Sequence, residues 1–256
     1  MTRRTLVIGH RGASREAPEN TLASFRLAFE QGADGIEADF RLTADGEIVC
    51  LHDDTTGRTA GVDLRVAGVT WEELQALEVG GWKGEAWRGE RIPSLTQVLD
   101  ALPAEKYLFI EIKSGPEIIP RLAATLAASG VAPGQIRLLA FSAELIRTLK
   151  EELPGYRSCW LTDYRWRGSW RPSPPQVLDT LKSCRADGLA SRARGILDAS
   201  FVADLREESL EIHLWTVDAA SEARRLAYLG VDSIMTNRPG WIGRCLAEPA
   251  RTEKGA

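Results

Sequence analysis

The chain has 256 residues, 44% apolar and 27% charged, with a net charge of −4. That composition supports one sizeable core in a soluble globular protein, and (β/α)8 barrels commonly take about 250 residues. The acidic balance argues against general nucleic-acid binding, and no segment approaches the ~20 apolar residues that a membrane-spanning helix needs, so no stable membrane insertion is expected.

Met1-Thr2-Arg3-Arg4 runs straight into Leu6-Val7-Ile8-Gly9. That apolar run is too short for the core of an export signal and reads as a first strand, which makes the cytoplasm the expected compartment. The four cysteines, Cys50, Cys159, Cys184 and Cys245, are scattered without a C-x-x-C pair. Three lie in apolar stretches, where buried reduced thiols are expected, and a zinc site is not expected.

Short β-branched runs then alternate with helical patterns. Strands are expected at Leu6–Gly9, Gly35–Phe40, Tyr107–Ile112, Ile136–Phe141, Ser158–Leu161, Ala186–Ala190, Glu211–Val217 and Val231–Thr236. Helices are expected at Thr21–Gln31, Leu95–Leu102, Pro116–Ser129, Ala143–Glu152, Pro174–Cys184, Ala199–Glu208, Ser221–Leu229 and after Pro239. Eight such βα units close a (β/α)8 TIM barrel. A doubly wound open sheet is the competing α/β arrangement, but it needs a switch point that the chain does not show. The Asp45-Gly46 turn, with Ile48–Leu51 returning as a strand, predicts a hairpin on the second strand that carries His52 to the rim. Residues 53–94 form a long insertion at the catalytic face, rich in Gly and Trp. Residues 1–247 read as one barrel domain and 248–256 as a flexible tail. The βα alternation is the one repeat found.

Candidate chemistry clusters where strands end. His10 lies just past the first strand, on what would be the catalytic face. Beside it, Arg11 suits phosphate oxygens and Gly12 permits close backbone approach. Glu37 and Asp39 are two apart on a strand and point the same way. Buried together they would repel and be costly to desolvate; a divalent cation removes both problems. Glu111 and Lys113 repeat the spacing. Glu111 suits a third oxygen ligand, and Lys113 can neutralise charge on a pentavalent phosphorus transition state. An oxygen-rich, cysteine-free set favours Mg²⁺ or Ca²⁺ over zinc. His213 lies early in its strand and reads as structural. Trp215, nearer the mouth, suits packing against a substrate's carbon skeleton, although core packing is commoner for Trp. With His52-Asp53, these are the parts of a metal-assisted phosphodiester cleavage site.

His10-Arg11-Gly12, Pro18-Glu19-Asn20-Thr21, Glu37-Ala38-Asp39, Thr43-Ala44-Asp45-Gly46, His52-Asp53, Ile92-Pro93-Ser94-Leu95, Ile110-Glu111-Ile112-Lys113 and Trp215-Thr216-Val217 follow in this order over residues 5–240. Each string alone is weak, but the ordered set closely resembles the glycerophosphodiester phosphodiesterases. The resemblance implies a (β/α)8 barrel with a small insertion after His52. It also implies hydrolysis of small glycerophosphodiesters to glycerol 3-phosphate and an alcohol. It implies His10 as general base, His52 as general acid, and Glu37, Asp39 and Glu111 as metal ligands. Arg11 and Lys113 would hold the phosphate, with Glu19 and Asn20 lining the site. Two positions depart from the family pattern: Asn237 stands where an aspartate is usual, and Phe141-Ser142 reverses the usual pair. Neither is expected to touch the metal or histidine set.

The nucleophile is left open between water and the substrate's own glycerol hydroxyl. Two arginine-rich stretches, Tyr164–Arg171 and Ser191–Arg194, should form a positive, aromatic rim that steers phosphodiester anions inward. Its aromatics could also accept a choline-like group, and a solvated Arg-rich loop is the equally weighted alternative. A lysophospholipase D or other phospholipase-like enzyme acting on lipid substrates is the second enzyme reading, and an idle metal- or phosphate-binding module the third. The oligomeric state is left open.

Overall fold

A computed structural model describes residues 4–248 of the chain; the expected tail beyond Glu248 lies outside the described residues. In chain order the elements are β1 (Leu6–His10), α1 (Leu22–Glu30), β2 (Gly35–Leu42), β3 (Ile48–Cys50), α2 (Gly57–Ala60), α3 (Trp71–Gln75), α4 (Leu95–Asp100) and β4 (Tyr107–Ile112). They continue with α5 (Ile119–Ala128), β5 (Ile136–Ala140), α6 (Ala143–Glu152), β6 (Arg157–Thr162), β7 (Arg165–Trp166), β8 (Trp170–Arg171) and α7 (Pro174–Cys184). The chain finishes with β9 (Gly188–Arg192), α8 (Ala199–Glu207), β10 (Glu211–Trp215), α9 (Ala220–Tyr228), β11 (Ser233–Thr236) and α10 (Pro239–Ala247).

Eight parallel strands run β1-β2-β4-β5-β6-β9-β10-β11, and β11 pairs back onto β1. This is a closed (β/α)8 barrel. Side-chain alternation splits its apolar residues into two layers. Ile8, Phe109, Leu139, Leu161 and Met235 fill the lumen. The opposite faces of the same strands, among them Ile36, Ala38, Ile110 and Leu138, pack under the surrounding helices. The expected hairpin is present: β3 pairs antiparallel with β2 from Leu42↔Ile48 to Phe40↔Cys50.

Two strands, β9 and β11, begin later than their apolar runs suggest, and one device accounts for it. Asp34, Asp187 and Asp232 each stand just before a strand. Each accepts a hydrogen bond from a main-chain N–H of the neighbouring strand: Val7 at 2.8 Å, Ser158 at 2.7 Å and Ile212 at 2.8 Å. The carboxylate takes the place of a ladder bond, so β9 and β11 start beyond it. After two of these aspartates comes a glycine, for a steric reason. A Cβ at Gly35 would lie 2.5 Å from the Tyr107 carbonyl oxygen, and one at Gly188 would lie 2.6 Å from that of Glu211. This recurring Asp anchor is an internal repeat that apolar periodicity does not reveal.

The segment between β3 and α4 has its own small core of Val66, Leu74, Val79 and Ile92, set against Val49 and Leu51 of the barrel hairpin. Its α3 starts with a capping box, in which Thr70 and Glu73 satisfy each other's main-chain N–H groups. The arginine-rich stretch after β6 is a hairpin rather than an irregular loop, with Arg165 opposite Arg171 and Trp166 opposite Trp170.

Candidate active site

The site sits at the C-terminal ends of the strands, and the sheet register assembles it. His10 pairs with Glu37, and Asp39 pairs with Glu111. Because alternate residues of a strand share a face, Glu37 and Asp39 both enter the lumen from β2. Glu111 enters above Phe109 of β4, and Lys113 follows just past the strand.

The turn after β1 is built for close approach. Arg11 has a φ of +57° and Gly12 one of +83°. A Cβ on Gly12 would lie 2.6 Å from the Ser24 main-chain carbon, so only glycine lets this turn rest on the start of α1. The Arg11 N–H donates to Glu37 Oε2 at 3.0 Å, and its guanidinium reaches Glu19 at 2.9 Å and Asp39 at 3.1 Å.

Glu37, Asp39 and Glu111 are buried, and one carboxylate oxygen from each lies within 4.8 Å of the others. Glu37 Oε1, Asp39 Oδ1 and Glu111 Oε1 lack a hydrogen-bond partner of good geometry. The Lys113 ammonium lies beside Asp39 Oδ1 at 3.1 Å and also pairs with Glu111. Burial, and then the Asp39 charge, push the Glu37 carboxyl up to about 8 and that of Glu111 up to about 7. Burial also opposes ionisation of Asp39, but Lys113 and Arg11 outweigh it and hold the carboxyl at about 2. Full ionisation would set three negative charges against the two positive charges of Arg11 and Lys113, and burial opposes that state. Three convergent hard oxygens with unused acceptor capacity fit a divalent cation.

Burial, followed by the Arg11 charge, lowers the His10 imidazole below its ordinary value. Burial likewise lowers His52. Both rings line one small cavity of about 90 Å³ with Arg11, Glu37, Glu111 and Lys113; Phe141, Trp215 and Met235 form its apolar wall.

Comparison with known proteins shows the family. Residues 10–241 match the model of the glycerophosphoryl diester phosphodiesterase family. A glycerophosphodiester phosphodiesterase of Caldanaerobacter subterraneus is 32% identical over 92% of this chain and 95% of its own length. The chain belongs to the glycerophosphodiester phosphodiesterase family. Among solved structures, an Oleispira antarctica phosphodiesterase in complex with its product sn-glycerol 3-phosphate superposes with a TM-score of 0.86 at 26% identity, covering 96% of this chain and 98% of the other. A glycerophosphodiester phosphodiesterase of Agrobacterium tumefaciens gives 0.81 at 28% identity, covering 94% and 99%.

In this phosphodiesterase, Glu19 and Asn20 stand behind the cavity wall. Asn20 donates to Asp39 Oδ2 at 2.9 Å, with its own φ at +57°. Glu19 joins a chain of charges that sequence reasoning missed. It accepts from Arg58 at 2.7 and 3.0 Å; Arg58 also donates to Asp53 at 2.5 Å, and Asp53 lies 2.7 Å from His52 Nδ1. Arg41 clamps the His52 carbonyl with two bonds, at 2.6 and 3.1 Å. The insertion thus reaches back to hold His52. Arg58 had no signal beyond being a cation in a loop that faces the site.

The expectation that neither Asn237 nor Phe141 touches the metal or histidine set fails for Asn237. Asn237 Oδ1 lies 2.8 Å from His10 Nδ1. Phe141 packs edge-on against Trp215, at 6.0 Å between centroids, with the Lys113 ammonium 5.9 Å from its own ring. His213 is buried low in the lumen, bonded to Ser233 at 2.8 Å and lying 3.2 Å from Glu211. The Arg192 guanidinium lies over Trp215 at 5.8 Å and 3.7 Å from Asp163, which precedes the exposed β7–β8 hairpin.

Proposed function

We propose that this enzyme hydrolyses small glycerophosphodiesters, such as glycerophosphocholine and glycerophosphoethanolamine, to sn-glycerol 3-phosphate and the free alcohol. The observation that carries the reading is one small cavity lined by two histidines beside three convergent carboxylates. Glu37, Asp39 and Glu111 would hold Mg²⁺ or Ca²⁺, which when bound supplies positive charge for the non-bridging phosphate oxygens.

The chain's own residues do the rest. Arg11 and Lys113 bring two further cations to the phosphate position. His10 takes the proton from the nucleophile, either water or the glycerol hydroxyl. His52, backed by the Asp53 carboxylate, returns a proton to the leaving alcohol. Trp215 and Phe141 offer an apolar wall to the carbon skeleton. At the rim, Arg165, Trp166, Arg167 and Arg171 are exposed and stand on the same face of the barrel. This positive hairpin draws anionic substrate inward on a protein of net charge −4.

The test compares glycerophosphocholine with lysophosphatidylcholine. Glycerol 3-phosphate release from the former, at least ten-fold faster than choline release from the latter, is expected. Turnover confined to lysophosphatidylcholine would overturn the reading in favour of a lipid-directed enzyme.

A further inference from the structure

We infer that Asn237, itself held by Asp218, is a positioning residue that fixes the ring orientation and the tautomer of His10. The inference rests on the reading of His10 as the proton acceptor and assigns the residues that prepare it.

The chain of bonds can be read in only one direction. Asp218 Oδ1 accepts from the Thr236 hydroxyl at 2.8 Å and from the Asn237 main-chain N–H at 2.8 Å. Its other oxygen lies 2.7 Å from the side-chain amide of Asn237. A carboxylate only accepts, so the amide end facing it must be the NH₂ group. The opposite end is then Oδ1, which also only accepts, and it lies 2.8 Å from His10 Nδ1. Nδ1 must therefore carry the ring proton. The free lone pair falls on Nε2, the nitrogen on the side of Glu37, 3.9 Å from its Oε2. Ser14 steadies the arrangement, its hydroxyl lying 2.8 Å from the same Asn237 oxygen and 2.7 Å from the His10 carbonyl. Asn237 follows β11 and Asp218 lies beyond β10, so the last two strands of the barrel aim a side chain carried by the first.

The test uses Asn237→Leu, which removes the acceptor at similar volume, Asn237→Asp, and the exchange variant Asp218→Asn/Asn237→Asp. In Asn237→Asp two carboxylates face each other across the 2.7 Å contact. The exchange variant rebuilds the chain with its ends swapped: an amide at position 218 donates across that contact, and a carboxylate at position 237 still accepts from His10. Turnover of glycerophosphocholine is measured alongside the ¹⁵N ring spectrum of histidine-labelled protein, which has only three histidines to assign.

Asn237→Leu should lower kcat about 100-fold or more with KM within about three-fold. Its His10 signals should move from the Nδ1–H form toward a mixture of tautomers. The exchange variant should regain kcat to within about ten-fold of the parent, and Asn237→Asp alone should not. Parental kcat or an unchanged His10 spectrum in Asn237→Leu would overturn the inference. So would a folded exchange variant as slow as Asn237→Leu. Parental turnover in His10→Ala would instead overturn the role of His10 itself, while the ring spectrum would still decide whether Asn237 sets the tautomer.

Discussion

His10 and His52 differ in what stands behind them. The Nδ1 of His52 faces a carboxylate, Asp53, and that of His10 faces an amide, Asn237. A carboxylate sets a full negative charge against an imidazolium and an amide oxygen only a dipole, so although burial lowers both rings, His52 is the better placed to hold a proton and His10 to accept one. If His52 protonates the leaving alcohol, its removal should matter only for poor leaving groups. His52→Ala should lose about 10²–10⁴-fold in kcat on glycerophosphocholine but less than about ten-fold on the p-nitrophenyl ester of glycerol 3-phosphate, whereas His10→Ala should lose both. Equal losses of His52→Ala on the two substrates would contradict this division of roles. His10, Glu37, Asp39 and Glu111 were legible in the sequence because strand alternation and position near strand ends are local properties. Asn237 was not, since its contact with His10 spans 227 residues and exists only once the barrel closes.

Among the elements, the β7–β8 hairpin gives the proposed steering of substrate its clearest test. Trp166 and Trp170 pack edge-on at 5.2 Å, which holds the short strands together and displays Arg165, Arg167 and Arg171 outward. Replacing these three arginines by Ser should raise KM for glycerophosphocholine several-fold and flatten its dependence on ionic strength, with kcat retained. An unchanged KM and salt dependence would show that the hairpin is only a solvated surface feature. The sequence marked this stretch as unusual without revealing a hairpin, since two-residue strands carry no period. The insertion was legible as an excursion with a purpose, but its purchase on His52 through Arg58 was not, because a long-range ion pair leaves no trace in spacing.

At the scale of the whole molecule, the two ends of the barrel are divided between chemistry and stability. At the end away from the site, Arg137 donates two bonds to Glu211, at 2.7 and 3.0 Å. Burial opposes ionisation of Glu211, but hydrogen bonds from His213 and Arg137 outweigh it and hold the carboxyl at about 2. A carboxyl depressed in the folded state stabilises the fold above its unfolded value of about 4.3. That contribution is lost as pH falls from there toward 2. Glu211→Gln should therefore destabilise the protein by about 3–5 kcal/mol at pH 7, because Arg137 is left buried and unpaired. The gap to the parent in thermal denaturation should narrow as pH falls from about 4.5 toward 2, while kcat of the folded variant stays near parental. A melting temperature equal to the parent's at pH 7 would refute this. The eight-strand order was legible in the sequence because each strand is a short apolar run followed by a helix. The starts of β9 and β11 were not, because Asp187 and Asp232 end the ladder by side-chain bonds that periodicity does not report.

In the function proposed, three carboxylates at one end of this barrel serve a divalent cation in phosphodiester hydrolysis. The most direct measurement is glycerol 3-phosphate release from glycerophosphocholine by chelator-treated enzyme, titrated with Mg²⁺ and separately with Ca²⁺, for the parent and for Glu111→Gln. Activity lost on chelation, restored by one of these ions, and restored in Glu111→Gln only at markedly higher ion concentration is the expected result. Full turnover in the presence of chelator, or an identical metal titration in Glu111→Gln, would contradict it.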